Sequence, residues 1–297
     1  MIQDKIKGVG VALITPFDNY NVDYEALARM VDHVITGGVD YIVALGSTAE
    51  TATLSLEERQ QVLNFIVERT AGRVPIVAGM GSNNTQALVE QLRSFDLSGA
   101  VAILSVVPYY NKPSQEGIYR HYMAVAEASP VPVIVYNVPG RTGVNMTSET
   151  TLRLAHASER IIAVKEASGD IEQMQRIIDG RPENFVVLSG DDGITVELVK
   201  RGGNGVISVA ANAFPKAFCE CIHKAIDGNI EEAEELMANR FDEPIHLLFR
   251  EGNPTSVKTM TEVLGLTNRE VRLPLAEGSD ALAEEQKIAI DKYQLRP

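Results

Sequence analysis

Eight short apolar runs recur along the first two-thirds of this chain, and their spacing limits the folds open to it more than any other feature. They are VGVALIT (9–15), YIVAL (41–45), VPIVAG (74–79), AVAILSVV (100–107), VPVIVY (131–136), IIAVK (161–165), FVVLSG (185–190) and GVISVA (205–210). Each is rich in Val and Ile without polar alternation, as parallel strands covered on both faces require. Their ends, near 14, 45, 78, 107, 136, 165, 189 and 208, lie 31, 33, 29, 29, 29, 24 and 19 residues apart. The segments between them read as helices. In 23–36, Leu27, Met30, Val31, Val34 and Ile35 share one helical face, and Gly37-Gly38 supplies the stop. Ser55 and Glu58 form a capping-box pattern opening a helix to Thr70, and Pro215 suits the first turn of the helix after the eighth run. Eight βα units of this period predict a closed (β/α)8 TIM barrel of the α/β class. An open doubly wound sheet is the rival, but its first turn is usually Gly-rich, whereas here the first strand runs into ITPFD.

Beyond about 225 the strands cease, and residues 230–248, 254–264 and 279–293 have helical patterns. The expected division is a catalytic barrel over 1–224 and a C-terminal helical extension over 225–297, with no linker rich in Gly, Ser or Pro between them. Cys219 and Cys221 lie two apart in a helical segment, point in different directions and cannot readily pair. A disulfide framework is therefore not expected, which favours a reducing, cytoplasmic setting. The polar MIQDKIKG does not resemble a signal peptide, and no run approaches 18 apolar residues, so no membrane span is expected. The net charge of −13 argues against nucleic acid as a partner. It does not argue against a small anion, because distant surface charge is screened within about 10 Å and a local arginine can dominate.

In a barrel, the carboxyl ends of the strands build the active site. These ends carry Thr15-Pro16, GSTAET (46–51), PYYNKP (108–113), YNVPGRTG (136–143), Lys165-Glu166 and SGDDG (189–193), and no histidine. Lys165 closes IIAVK, which aims an amine at the barrel mouth. A lysine there could instead snorkel to solvent or pair with Glu166. Burial favours a nucleophile. At a pKa of about 10.4 roughly one lysine in 2,500 is neutral at pH 7, and a shift to about 8 gains on the order of 200-fold. Tyr136 closes the fifth strand and offers a phenol for proton transfer, with Ser47, Thr48, Tyr109 and Tyr110 as candidate relay hydroxyls. Arg141 follows in the next loop as a candidate carboxylate clamp. The turn glycines Gly46, Gly190 and Gly193 permit close backbone approach to a carboxylate. The five histidines, at 33, 121, 156, 223 and 246, fall in helical segments and form no ligand pair, so neither a metal nor a metal-dependent aldolase is expected. The GGNG at 202–205 precedes a strand and opens no helix, which makes it a poor phosphate cradle.

Together, GSTAE (46–50), PYYNKPSQEG (108–117), YNVPGRTG (136–143), IIAVKEASGD (161–170), LSGDD (188–192), GVISV (205–209) and NPTSVK (253–258) resemble the N-acetylneuraminate lyase/dihydrodipicolinate synthase family of class I Schiff-base aldolases, over essentially the whole chain. The resemblance implies that Lys165 condenses with pyruvate without a cofactor. It implies that the enamine attacks L-aspartate 4-semialdehyde, in lysine biosynthesis by the diaminopimelate route. It further implies a proton relay of Tyr136, Ser47 and Tyr110, with Tyr110 supplied by a neighbouring subunit of a homotetramer. Thr48, Gly190 and Ile207 would hold the pyruvate carboxylate and imine, and Arg141 the second substrate's carboxylate. That arginine favours the synthase branch over relatives that cleave sialic acid or 2-keto-3-deoxy sugar acids. A non-catalytic ligand-binding barrel is the alternative from another class.

Three departures from the family pattern stand out. Ser47 replaces a threonine and Ala49 a glycine. The family's lysine-effector site is matched at Asn83 and Tyr109, but Leu56, Arg59 and Ala87 stand where histidines and a glutamate are common. Loss of a carboxylate at Ala87 removes a partner for the effector's ammonium worth about 1.5–3 kcal/mol. Weak or absent lysine inhibition is the expectation.

Overall fold

Eight parallel strands close on themselves, each paired only with its two neighbours. The computed structural model describes residues 1–296. The strands are β1 (Gly8–Ala12), β2 (Tyr41–Ala44), β3 (Ile76–Gly79), β4 (Ala102–Val106), β5 (Val133–Asn137), β6 (Ile161–Glu166), β7 (Val186–Ser189) and β8 (Gly205–Ser208), with β8 returning to pair with β1. A helix follows each in turn: α1 (Tyr24–Thr36), α2 (Leu56–Thr70), α3 (Thr85–Ser94), α4 (Gln115–Ala128), α5 (Ser148–Ala157), α6 (Ile171–Gly180), α7 (Thr195–Lys200) and α8 (Pro215–Ile226). The predicted TIM barrel is thus the observed one. The Ser55–Glu58 capping box is present, and Pro215 opens α8. Cys219 and Cys221 are buried free thiols, and among the described residues no helix is long and apolar enough to cross a membrane.

Two strands, β1 and β8, stop two or more residues short of their apolar runs, for the same reason. Past Ala12, the Ile14 N–H donates to the Asn212 side chain at 3.1 Å rather than continuing the ladder. Past Ser208, the Val209 and Ala210 N–H groups donate to one oxygen of Asp192, at 3.1 and 2.9 Å. Apolarity persists where the ladder stops because side chains from elsewhere satisfy the backbone.

Alternation along the strands divides the apolar residues into two cores. One lies between barrel and helices. The other fills the barrel itself with Tyr41, Val43, Val77, Ile134, Leu188 and Ile207 among others. Tyr41 is wholly buried there, and its ring occupies the place a side chain on Gly10 would need, 2.2 Å from that position. The lumen is therefore plugged among the described residues, and the cavity lies at the carboxyl end of the barrel.

The C-terminal extension comprises α9 (Ile230–Leu236), a π-helical turn (Met237–Phe241), α10 (Asp242–Leu247), α11 (Thr255–Val263) and α12 (Asp280–Lys292). Helix α8 runs to Ile226, through the junction expected at 224. The extension does not stand apart from the barrel: its residues Ile245, Phe249 and Asn253 line the cavity at the barrel mouth.

That mouth depends on a close approach between β3 and the end of β2. A Cβ on Gly79 would lie 2.0 Å from the Leu45 carbonyl oxygen and 2.9 Å from the Gly46 nitrogen, both backbone atoms. Gly79→Ala should therefore destabilise the fold by about 1–3 kcal/mol and weaken substrate binding, since the displaced backbone leads into Ser47 and Thr48. A thermal melt and a saturation curve check this, and a variant that melts and saturates like the parent would contradict it.

Candidate active site

Tyr136 and Lys165 are register partners on adjacent strands, so the two-residue period of β5 and β6 sends both side chains into the barrel. Asn137 and Glu166, one step further, both point outward and find each other: the Asn137 amide donates to the two Glu166 oxygens at 3.1 and 3.0 Å. Glu166 also accepts from the Ser168 N–H at 2.7 Å and from Gln173 at 3.0 Å. The pairing of Lys165 with Glu166 that their adjacency in sequence allows is therefore absent, because neighbours on a strand face opposite sides.

Lys165 is 5% exposed, and its Nζ lies 4.4 Å from the centroid of the Tyr136 ring. Desolvation in the barrel pulls its pKa down to about 7; the Asp192 carboxylate opposes this shift, and the Arg141 guanidinium adds to it. About half the lysine is then a neutral amine at pH 7, against roughly one in 2,500 for a solvated lysine. The lysine needs room. A Cβ on Gly190 would sit 3.1 Å from Lys165 Cε and 2.5 Å from Ala167 Cβ, so a glycine at the end of β7 keeps the amine's stem unobstructed.

Burial also pushes the Tyr136 phenol up to about 12, partly offset by Arg141 and reinforced by Glu166. Tyr136 thus stays protonated at neutral pH and is a donor first. Asp192, 2% exposed on the loop after β7, is held by the Val209 and Ala210 N–H groups through Oδ2, while Oδ1 has no hydrogen-bond partner among the described residues. Desolvation raises this carboxyl to about 6, so it is mostly ionised at pH 7 and contributes the negative charge felt by Lys165.

Ser47, Thr48, Tyr109, Arg141, Lys165, Gly190 and Tyr136 line one cavity of roughly 1040 Å³. Ile207 is buried on the barrel side of β8 beside it. Ser47 and Thr48 sit in a 3-10 turn, Ser47–Ala49, directly after β2. The left-handed residues that shape this turn are Leu45 and Glu50, so Ala49, where the family pattern has glycine, adopts no conformation that needs one. Ser47 is exposed at the rim and Thr48 is buried. Among the described residues neither hydroxyl hydrogen-bonds Tyr136. Tyr110 lies apart from the cavity of its own chain. It is 86% exposed and holds a left-handed φ of 74°, its N–H donating to the Thr142 carbonyl at 3.3 Å. Asn83 and Tyr109 are in contact, the Asn83 amide donating to the Tyr109 carbonyl at 3.2 Å. Half-buried Arg59 lines the same side of the cavity, its Nε bound to the Leu54 carbonyl at 3.1 Å.

Asn253, in the NPTSVK motif, belongs to the site although its residue type and position suggest no such role. Its amide donates to Thr48 Oγ1 at 2.9 Å, and its carbonyl accepts from Arg141 at 3.0 Å. One residue of the extension therefore joins two substrate-binding candidates contributed by different strand ends. Its contact with Thr48 spans 205 residues of sequence, and no local pattern announces such a contact. Among the described residues, no three His, Cys, Asp or Glu side chains gather as a metal-ligand set.

A closed barrel with a desolvated lysine on its sixth strand, a phenol beside it and hydroxyls at the rim holds a neutral amine within reach of a small molecule in the cavity. The chain belongs to the dihydrodipicolinate synthetase family, whose model it matches over residues 5–292. It is 50% identical over 297 residues to the 4-hydroxy-tetrahydrodipicolinate synthase of Phocaeicola vulgatus, covering all of both chains. It is 52% identical over 276 residues to that of Parabacteroides distasonis, covering 93% of each. Among solved structures it superposes on the dihydrodipicolinate synthase of Thermotoga maritima with a TM-score of 0.95 at 36% identity, over 98% of this chain and 99% of that one.

The shifted lysine makes a signed prediction. Only the neutral amine attacks a carbonyl, so imine formation with pyruvate should accelerate about tenfold per pH unit below the lysine's pKa of about 7 and level off above it. Stopped-flow kinetics across pH checks this, and a rate still climbing near pH 10 would contradict it.

Proposed function

We propose that the chain catalyses the 4-hydroxy-tetrahydrodipicolinate synthase reaction, the condensation of pyruvate with L-aspartate 4-semialdehyde on the diaminopimelate route to lysine. The observation that carries this reading is the desolvated amine of Lys165 beneath a cavity that also holds Arg141. Full-length similarity to relatives of that name supports it.

The neutral Lys165 nitrogen attacks C2 of pyruvate, and the carbonyl oxygen takes a proton from Tyr136. Water then leaves the carbinolamine to give an iminium, whose positive charge Asp192 stabilises across the buried site. The Tyr136 phenolate left by the first step takes a C3 proton to give the enamine, whose C3 attacks the aldehyde carbon of the second substrate, and Tyr136 returns that proton to the aldehyde oxygen. The second substrate's own amine then displaces Lys165 from C2. No metal or cofactor is needed, because the imine itself supplies the electron sink.

Thr48 Oγ1 accepts from Asn253, which leaves its own O–H to donate to the pyruvate carboxylate. Ser47 offers a second hydroxyl at the rim, and the backbone at Gly190 and Ile207 borders the imine. Arg141, oriented by the Asn253 carbonyl, clamps the second substrate's carboxylate. Tyr110 is exposed and outside its own cavity, which suits a relay role in a neighbouring subunit, within a homotetramer built from dimers.

Arg141→Ala should raise the KM for L-aspartate 4-semialdehyde by about 10- to 100-fold and change the KM for pyruvate little. In a coupled assay, the parent enzyme should turn over pyruvate with L-aspartate 4-semialdehyde and leave sialic acid and 2-keto-3-deoxy sugar acids uncleaved. Efficient cleavage of either sugar acid would replace this reading with that of an aldolase from the same family. Arg59 and Ala87 deprive the Asn83–Tyr109 region of the groups that would hold a lysine ammonium, so lysine should inhibit weakly or not at all. Half-maximal inhibition at sub-millimolar lysine would contradict that.

A further inference from the structure

Directly behind the turn that carries Ser47 and Thr48 lies a buried ion pair that the chemistry above does not use. Glu50 ends this turn in a left-handed conformation, φ 54° and ψ 35°, which costs a residue with a Cβ energy and persists only where its surroundings enforce it. Its side chain is 1% exposed, and its Oε1 lies 2.5 Å from Nζ of Lys258, which is 0% exposed. Its other oxygen accepts from the Arg272 N–H at 2.9 Å, and its carbonyl receives the Thr53 N–H and hydroxyl at 2.9 and 3.0 Å. Lys258 also donates to the Glu270 carbonyl at 2.8 Å.

Lys258 and Arg272 both belong to the C-terminal extension, and Arg272 reaches Glu50 through its backbone N–H. Lys258 lies 4.0 Å and the Arg272 guanidinium 4.4 Å from the centroid of the Phe17 ring, in the short hairpin after β1. Arg272 binds Glu58 through two nitrogens, at 2.6 and 3.0 Å, and donates to the carbonyls of Tyr20 and Thr53. One network thus joins the β1 loop, the substrate turn, the start of α2 and the extension. Lys258 stands five residues after Asn253, which holds Thr48 from the other side.

Two buried charges are a poor way to gain stability, since an apolar pair of similar volume often stabilises as well or better. What an ion pair adds is direction. It admits one arrangement of the turn, and here that arrangement aims two hydroxyls into the cavity.

We propose that Glu50 and Lys258 are positioning residues for pyruvate: their buried pairing sets where Ser47 and Thr48 present their hydroxyls, and so makes the C-terminal extension part of the substrate site. This rests on the proposed pyruvate chemistry. Burial lowers the Lys258 pKa to about 8, with Glu50 opposing the shift, so the lysine is mostly charged at pH 7.

The test compares Glu50→Gln, Lys258→Met and the double variant with the parent by thermal melting and by separate KM and kcat values. Each single change strands one buried charge and should lower the melting temperature. The double variant strands none and should recover it, while its pyruvate KM stays raised about tenfold or more, with the loss carried by KM rather than kcat. Recovery of both the melting temperature and the pyruvate KM, or a defect in kcat alone, would overturn the proposal and leave the pair a purely structural element. If the double variant does not fold, Glu50→Asp keeps both charges and shortens the reach by one methylene. It should raise the pyruvate KM several-fold with the KM for the second substrate unchanged, and a parental pyruvate KM would overturn the proposal. A parent enzyme that forms no imine with pyruvate would sink the functional reading instead, which keeps the two failures distinct.

Discussion

The burial of one ammonium at the end of β6 is the constraint around which this molecule is arranged. A charge in an apolar lumen is expensive, and the group responds by giving up its proton rather than remaining charged. The barrel plug below Lys165, the Tyr136 ring beside it and the missing side chain at Gly190 all follow from holding an amine in a dry, narrow place. Asp192 moderates the effect. Its carboxylate sits deep enough to stabilise a cation on the lysine nitrogen, yet it opposes the pKa shift only in part. A fully compensated lysine would stay protonated and unreactive, whereas an uncompensated one would disfavour the iminium that follows attack.

Barrel and extension share the site. Asn253 reaches both Thr48 and Arg141, and Lys258 with Arg272 braces the turn from behind. A (β/α)8 barrel gains functional variety from its loops, whose conformations are less constrained than its strands. In this chain the extension supplies that constraint, which places residues more than 200 positions apart within hydrogen-bond distance of one another.

Most of the fold was legible because parallel strands buried on both faces are rich in Val and Ile without polar alternation, and their period appears in the sequence without reference to any contact. The ends of β1 and β8 were not, since Asn212 and Asp192 satisfy backbone groups that apolarity alone would assign to the ladder. Lys165, Tyr136 and Arg141 could be picked out by their position at strand ends, where the barrel rule turns sequence position into geometry. Asn253, Asp192 and the Glu50–Lys258 pair could not. Each acts through a partner distant in the chain, and each is a residue type that is ordinarily solvated.

The proposed reaction requires a covalent bond between the Lys165 nitrogen and a 2-oxo acid. Borohydride reduction in the presence of pyruvate, followed by intact-mass and peptide mass spectrometry, tests this directly. The expected result is one reduced pyruvyl adduct per chain, located on the peptide containing Lys165 and absent from Lys165→Ala. No adduct, or an adduct at another lysine that persists in Lys165→Ala, would contradict the account.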